Sequence, residues 1–376
     1  MKKTILFLLA IIFININFAQ KNPKIQNWTI SEINSYYDSI TNIQKSAQLN
    51  TNLFNLRNKK KFNGVILISY QGKIILHKAY GYANLKKKIP LTLNTVFELA
   101  SVSKQFTAAS IMLLKERGLI SYSDSVQKFI TDFPYRGVTI HNMLCHRSGL
   151  PHYYYFAPKY WGKRTDDISN DTLIKMMIEQ KPEARFAPNS SYEYCNTAYC
   201  ILAYIVEKVS GKPYGEFVKD EIFTKAGMKR TFARTHKIGI QKNFIAEGYD
   251  KKGRLSKHTF LSGTIGDKGI YSTAYDLYLW DKALREFKIL KKETLIEAIT
   301  GKSTDRKPDA NYGYGWHIGT YFWGQPLIFH GGLWNGYNTL FIRRINDNSL
   351  IVVLSNVVNF SFSRQSNNWM EIMDGL

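Results

Sequence analysis

The chain reads as an α/β protein of the α+β kind: an antiparallel sheet flanked by helices, a mostly helical subdomain beside it, and a cleft between the two. Three observations predict this. Strand-forming runs around glycine turns stand near the start, at residues 64–80, and return past residue 310. The stretch between, 119–265, is mostly helical and irregular in pattern, with aromatic loops. At 376 residues, 44% hydrophobic and 14% aromatic, the chain can bury a substantial core, which excludes a disordered protein.

The elements follow in order. Lys2 and Lys3 precede an uncharged apolar run at 5–14, and then come Asn15, Asn17, Phe18 and Ala19. This is the pattern of a signal peptide over 1–19, cut after Ala19, although Asn17 fits poorly where a small residue is expected. Export to the periplasm or the medium follows. The run is too short for a comfortable membrane span, and no stable span is expected after processing; an uncleaved anchor is the alternative. Residues 20–60 form a polar, partly helical segment, where Thr29-Ile30-Ser31-Glu32 fits a capping box and Ile33, Tyr36, Tyr37 and Ile40 follow at helical spacing. A hairpin is predicted over 64–80, turning at Gln71-Gly72. A helix opens at Ser101, runs to about Arg117 and stops at Gly118. Another spans 197–209, ended by Ser210-Gly211. An antiparallel meander closes the chain, with strands at 312–321, 327–331, 338–345 and 349–355 and turns at 323–325 and 346–348. One domain over 61–376 is expected, its sheet part at about 61–118 and 266–376 and its helical part at about 119–265. No repeat or low-complexity tract is evident.

The formal net charge is +22. The lysines are scattered, no basic helix, zinc finger or RNA-binding signature accompanies them, and an exported protein rarely meets nucleic acid, so no nucleic-acid partner is expected. A basic surface drawn to anionic envelope polymers is the expectation. Cys145, Cys195 and Cys200 are odd in number and make no disulfide framework; they read as small packing residues. His141, His146 and His152 are five and six apart, which is not a helical metal pair.

The chemistry centres on Ser101-Val102-Ser103-Lys104. Serine is a poor nucleophile without a base in reach, and a lysine at i+3 on a helix shares its face. A helix N-terminus adds N–H groups where an oxyanion would form. The pattern alone is weak, because Ser125-Val126-Gln127-Lys128 matches it too. Setting separates them: Ser101 opens an apolar helix carrying Phe106, Ile111, Met112 and Leu114, whereas Ser125 sits in a polar turn.

The segment Phe97-Glu98-Leu99-Ala100-Ser101-Val102-Ser103-Lys104-Gln105-Phe106-Thr107-Ala108 resembles the nucleophile region of the serine β-lactamase and penicillin-binding superfamily. It is most similar to the branch of class C β-lactamases, D-alanyl-D-alanine carboxypeptidases, D-aminopeptidases and esterases. The Tyr-x-Asn motif of that family has its match in Tyr194-Cys195-Asn196, and its Lys-Thr-Gly or His-x-Gly motif in His330-Gly331-Gly332. Tyr82-Ala83-Asn84 and His317-Ile318-Gly319 match the same patterns but fall in the wrong places. Met143-Leu144-Cys145-His146-Arg147-Ser148-Gly149-Leu150, Gly269-Ile270-Tyr271-Ser272-Thr273 and Tyr312-Gly313-Tyr314-Gly315-Trp316 extend the resemblance over roughly residues 60–360.

The resemblance implies a β-lactamase-like fold and a serine hydrolase that works through an acyl-enzyme without metal or cofactor. Ser101 is the implied nucleophile, with Lys104, alone or with Tyr194, as its base. Tyr194 passes a proton to the leaving group, and Asn196 bonds Lys104 and a substrate amide. His330 tunes Tyr194 and lines the substrate wall, Gly331 and Gly332 admit the substrate backbone, and the N–H groups of Ser101 and Leu333 form the oxyanion hole. An ordinary half-buried Tyr194, Asn196 as a helix cap and a structural His330 are the alternatives. His146 is implied as a structural residue behind the site. The aromatic run 153–156, with Tyr160 and Trp161, is either a pocket wall or a packed surface loop. The implied partner is a small molecule or a peptide such as one derived from the cell wall: an amide, an ester or a β-lactam-like compound. Histidine where lysine is usual removes a fixed positive charge for a substrate carboxylate. That favours a D-amino-acid peptidase or esterase over an efficient β-lactamase. A penicillin-binding sensor that acylates without turnover is the other class, and an inactive scaffold a third. Ala100 stands where the family has glycine, with no evident consequence.

Overall fold

The computed structural model describes residues 30–60, 62–162, 165–234, 244–303, 305, 310–321, 324–358 and 362–375. The signal-peptide pattern, Thr29 and the turn residue Trp323 lie outside the described residues. In order along the chain come α1 (Ile30–Lys60), β1 (Gly64–Tyr70), β2 (Lys73–Tyr80), a short ribbon of β3 (Tyr82–Asn84) and β4 (Ile89–Pro90), β5 (Phe97–Glu98) and a 3₁₀ turn at Ala100–Ser103. That turn runs directly into α2 (Lys104–Glu116). Helices α3 (Ile140–Leu144), α4 (Tyr153–Tyr160), α5 (Asn170–Gln180), α6 (Asn196–Ser210) and α7 (Tyr214–Val218) follow. The rest comprises β6 (Phe232–Ala233), β7 (Ile270–Ser272), α8 (Ala274–Arg285), α9 (Lys292–Ala298), β8 (Ala310–Tyr312), β9 (His317–Tyr321), β10 (Gln325–Trp334), β11 (Tyr337–Arg344), β12 (Ser349–Ser355) and α10 (Phe362–Asp374).

Seven strands form one sheet in the order β2-β1-β12-β11-β10-β9-β8, with every pair antiparallel. The first hairpin thus joins the last strand, as strand signals at both ends of the chain predict. The hairpin turn has φ of 50° at Gln71 and 76° at Gly72, two positive values in succession, which suit the twist of the flanking strands. Alternation along the strands separates two apolar layers. Val65, Leu67, Phe341, Val352 and Leu354 face the main core with α2 and α6, while Ile66, Ile68, Ile342, Ile351 and Val353 face Leu49 and Leu53 of α1 and Trp369, Met370 and Met373 of α10. Both faces being covered, β12 is buried at every residue and reads as a continuous apolar run. Each such side chain contributes about 1.5–3 kcal/mol of burial.

One expectation and one alternative reading need correction. The strand predicted over 312–321 is two strands, because Gly313-Tyr314-Gly315-Trp316 leaves the sheet and folds onto α2. Gly315 has φ of +87°, and a Cβ there would stand 2.8 Å from that of Ala108. Asn196 does not cap α6: the cap position is Cys195, without a side-chain hydrogen bond, and Asn196 is the first helical residue. The α6 stop is as predicted, with Gly211 left-handed at φ 69°.

One buried charge ties a helix to the sheet. Asp281 of α8 accepts from Arg343 Nε of β11 at 2.5 Å and from Arg285 Nε at 2.8 Å. Replacing it leaves Arg343, 4% exposed, without its counter-charge. Asp281→Ala is expected to lose about 3–5 kcal/mol of stability in urea unfolding; a loss under about 1 kcal/mol would contradict this account of the helix–sheet tie.

Candidate active site

The nucleophile turn is held from three sides. Its entry strand β5 pairs with β7. The Leu99 N–H donates to Ile270 O at 2.8 Å, and Ile270 N–H donates to Ser103 Oγ at 3.1 Å. From β11, Thr339 Oγ1 donates to Leu99 O at 2.7 Å. The turn is 3₁₀, so residues three apart eclipse, and Ser101 and Lys104 face each other more squarely than on an α-helix. Reaching this turn requires φ of +49° at Ala100. The replacement of the family's glycine therefore does have a consequence: a Cβ in left-handed backbone, costing on the order of 1–2 kcal/mol, directly before Ser101.

Lys104 is fully buried, and its ammonium has three acceptors. Nζ donates to Ser101 Oγ at 3.1 Å, to Asn196 Oδ1 at 2.7 Å and to the main-chain carbonyl of Asp267 at 2.8 Å. Burial lowers its pKa from 10.5 to about 8 against the opposing charge of Asp267. Nζ also lies 4.9 Å from the centre of the Tyr194 ring. The Tyr194 hydroxyl is buried; burial pushes its pKa well up, partly offset by the Ser101 side chain, though the hydroxyl makes no hydrogen bond of ordinary geometry.

His330 is 1% exposed on β10. Burial, with His317 and Lys104 nearby, holds its pKa well below the usual value, so the ring is neutral. Its Nε2 meets the Tyr312 hydroxyl at 3.0 Å and its Nδ1 the Gly331 carbonyl at 2.7 Å. The ring centre is 6.0 Å from that of Tyr194, so the two touch by packing rather than by a hydrogen bond. The two glycines differ. At Gly332 a Cβ would stand 2.3 Å from both Leu99 O and Thr339 Oγ1, so this glycine lets β10 close on the nucleophile turn. At Gly331 a Cβ would meet only Thr339 O, at 3.8 Å. Leu333, half exposed, lines the same cleft as Ser101, Tyr194, Asn196, His330, Gly331 and Gly332. The cleft, about 680 Å³, thus gathers every predicted site residue except Lys104, which lies buried behind Ser101.

The rival motifs separate. Ser125 precedes a turn in which Lys128 pairs with Asp124 at 2.9 Å on the surface. The Asn84 amide goes to Glu247. His317, set aside as a motif, nonetheless lines the cleft, its ring stacked on Tyr194 at 6.0 Å and 6°. His146 accepts the Cys195 N–H at 3.1 Å, with its ring 4.2 Å from that of Tyr194. The aromatic run divides: Tyr153 and Phe156 are buried in α4, Tyr155 is exposed, and Tyr154 lines the cleft stacked on Trp334 at 5.7 Å. The three cysteines are free and buried. Sequence reasoning passed over Asp267, Lys268 and Trp334. The first two immediately precede the Gly269-Ile270-Tyr271-Ser272-Thr273 stretch, but adjacent opposite charges before a strand carry no special signal.

A cleft serine hydrogen-bonded to a buried lysine of lowered pKa, on this fold, defines a serine hydrolase. The sequence profile of the Beta-lactamase family matches residues 49–371. Penicillin-binding protein 4* of Bacillus subtilis is 34% identical over 83% of this chain and 72% of its own length. A D-aminopeptidase of Brucella anthropi is 26% identical over 75% of this chain, which spans only 53% of that protein. The solved octameric penicillin-binding protein homologue from Pyrococcus abyssi superimposes with a TM-score of 0.75 at 28% identity, covering 88% of this chain and 77% of its own. The chain belongs to the Beta-lactamase family.

Two measurements follow from this geometry. The unfolded chain binds more protons than the native state between about pH 8 and 10.5 because of Lys104, so this lysine makes stability rise with pH across that window. Urea titrations of the wild type and Lys104→Met should show that rise in the first and a smaller one in the second; equal slopes would contradict the lowered pKa. Gly332→Ala is expected to lose about 1–3 kcal/mol through overpacking and most of the activity; a wild-type melting temperature would show that β10 does not press on the nucleophile turn.

Proposed function

We propose that this chain is an exported hydrolase that cleaves amides or esters of neutral acyl compounds, D-amino-acid derivatives among them, through an acyl-enzyme on Ser101. The observation that carries the reading is the Lys104–Ser101 contact with Lys104 buried and its pKa near 8. A lysine of that pKa is about one-tenth neutral at pH 7 and about half neutral at pH 8, and this neutral fraction takes the Ser101 proton as Oγ bonds to the carbonyl carbon. The N–H groups of Ser101 and Leu333 receive the oxyanion. Tyr194, its pKa held high, is the protonated partner that hands a proton to the leaving group and then orients water for deacylation. Lys104 rather than Tyr194 is the resting base. Asn196 spends Oδ1 on Lys104 and keeps its amide N–H groups for the substrate. His330 acts as a neutral wall that fixes Tyr194 by packing.

The substrate class rests on the cleft's charge. Among the described residues lining it there is no arginine, lysine, aspartate or glutamate; its two histidines are His330, which burial holds neutral, and His317. A free carboxylate on the substrate would find no arginine or lysine among those residues to pair with. The printed name of one relative, a D-aminopeptidase, agrees with D-amino-acid derivatives among the substrates. Export is supported by Lys2, Lys3, the apolar run after them and Ala19. Among the described residues no helix is long and apolar enough to cross a membrane.

A fluorophosphonate and a fluorescent penicillin, each incubated with the wild type and with Ser101→Ala, test the reading. Fluorophosphonate labelling of the wild type alone is expected; no labelling would overturn the acyl-enzyme. A p-nitrophenyl ester, nitrocefin and a D-Ala-D-Ala peptide compared side by side should rank the neutral ester first and the peptide bearing a free carboxylate well below it. A penicillin label that persists for hours, with no ester turnover, would mark a sensor instead.

A further inference from the structure

Directly beneath the site lies an ion pair that the proposed mechanism does not use. Lys268 and Asp267 are 2% and 1% exposed, with Lys268 Nζ 3.4 Å from both Asp267 carboxylate oxygens. The same Nζ donates to the Tyr153 hydroxyl and to Thr264 Oγ1, each at 2.5 Å. The Trp334 ring, at 4.7 Å, and the Tyr153 ring, at 5.1 Å, close over it. Asp267 has two roles here. Its main-chain carbonyl is one of three acceptors of Lys104, while its carboxylate is an unwanted neighbour for a lysine that must shed its proton.

We propose that Lys268 is a positioning residue of this active centre: it neutralises the Asp267 carboxylate, so that Asp267 can hold Lys104 through its carbonyl without its charge keeping Lys104 protonated. The inference deepens the proposed reaction and rests on that reading for its purpose. The charge geometry is local and specific. An uncompensated carboxylate in a dry interior acts on a neighbouring ammonium far more strongly than in water. The other titratable groups around Lys104 are Tyr194, Tyr199, Cys195, Cys200, His146 and His330, on and just before α6, just after α3 and on β10. Burial holds those thiols and phenols protonated and those imidazoles neutral, so they supply no compensating charge. Near the pair stands Glu98, bonded to Tyr271 and raised by burial to about 7, with Arg234 also acting on Glu98.

The test reads Lys104 directly. The full chain, labelled with ¹³C at lysine Cε, is titrated by NMR, with the Lys104 signal assigned by its loss in Lys104→Arg. In Lys268→Met the Lys104 midpoint is expected to rise by at least about half a pH unit, and in the double variant Asp267→Asn, Lys268→Met to return to the wild-type value. Should Lys268→Met not fold, Asp267→Asn alone is expected to lower the midpoint. A midpoint unmoved in the folded single variant, or not restored in the double, overturns the inference. Fluorophosphonate labelling of the wild type is followed in parallel: normal wild-type labelling with an unmoved midpoint in Lys268→Met defeats the role of Lys268 alone, whereas no wild-type labelling with a moved midpoint in Lys268→Met defeats the hydrolase reading and leaves the electrostatic role standing.

Discussion

The site depends on keeping one lysine dry and fully hydrogen-bonded. A buried ammonium with no acceptors would be prohibitively costly, and one beside a full negative charge would never give up its proton. Lys104 avoids both outcomes by bonding three neutral oxygens: a hydroxyl, a side-chain amide and a main-chain carbonyl. They come from three separate parts of the chain, the 3₁₀ turn, the start of α6 and the loop before β7. The lysine's proton affinity therefore reports whether all three are in place.

The rest of the fold meets that requirement. The sheet, covered on both faces, supplies a rigid β10 whose Gly332 allows contact with the nucleophile turn. The turn takes a left-handed residue at Ala100 to aim Ser101 into the cleft, a local strain held by the pairing of β5 with β7 and the Thr339–Leu99 bond. Helix α6 delivers Asn196 at its first residue, and the segment before it delivers Tyr194, packed among His146, His317, His330 and Tyr312. The site is thus aromatic and histidine-rich, with no arginine, lysine or carboxylate among the described residues that line its cleft.

Much of this was legible in the residues. The hairpin, the serine helix, α6 and the closing strands follow from apolar periodicity and glycine stops, both local signals. The nucleophile, its lysine and the Tyr-x-Asn and His-x-Gly partners were found because three motifs occur in order. What stayed hidden depends on contacts between distant segments. Nothing near Gly315 announces that its loop leaves the sheet to pack on α2. The cost at Ala100 is visible only in its φ. The Asn196–Lys104 bond spans ninety-two residues and was legible only through the motif resemblance, while the local alternative, Asn196 as a cap, is not what the helix start shows. Asp267 contributes through its main chain, which no side-chain pattern can reveal, and His317 lines the cleft by facing across from β9.

The central claim is that Lys104 removes the Ser101 proton and does not merely hold the turn. The direct measurement is the rate at which Ser101 is acylated at pH 8, followed by intact mass and located by peptide mapping, in Lys104→Arg. Arginine keeps the positive charge and donor groups but does not deprotonate. With near-UV circular dichroism confirming a native fold, the account predicts a fall of at least about 10²-fold, the usual worth of a general base. Acylation within about threefold of the wild type would contradict it.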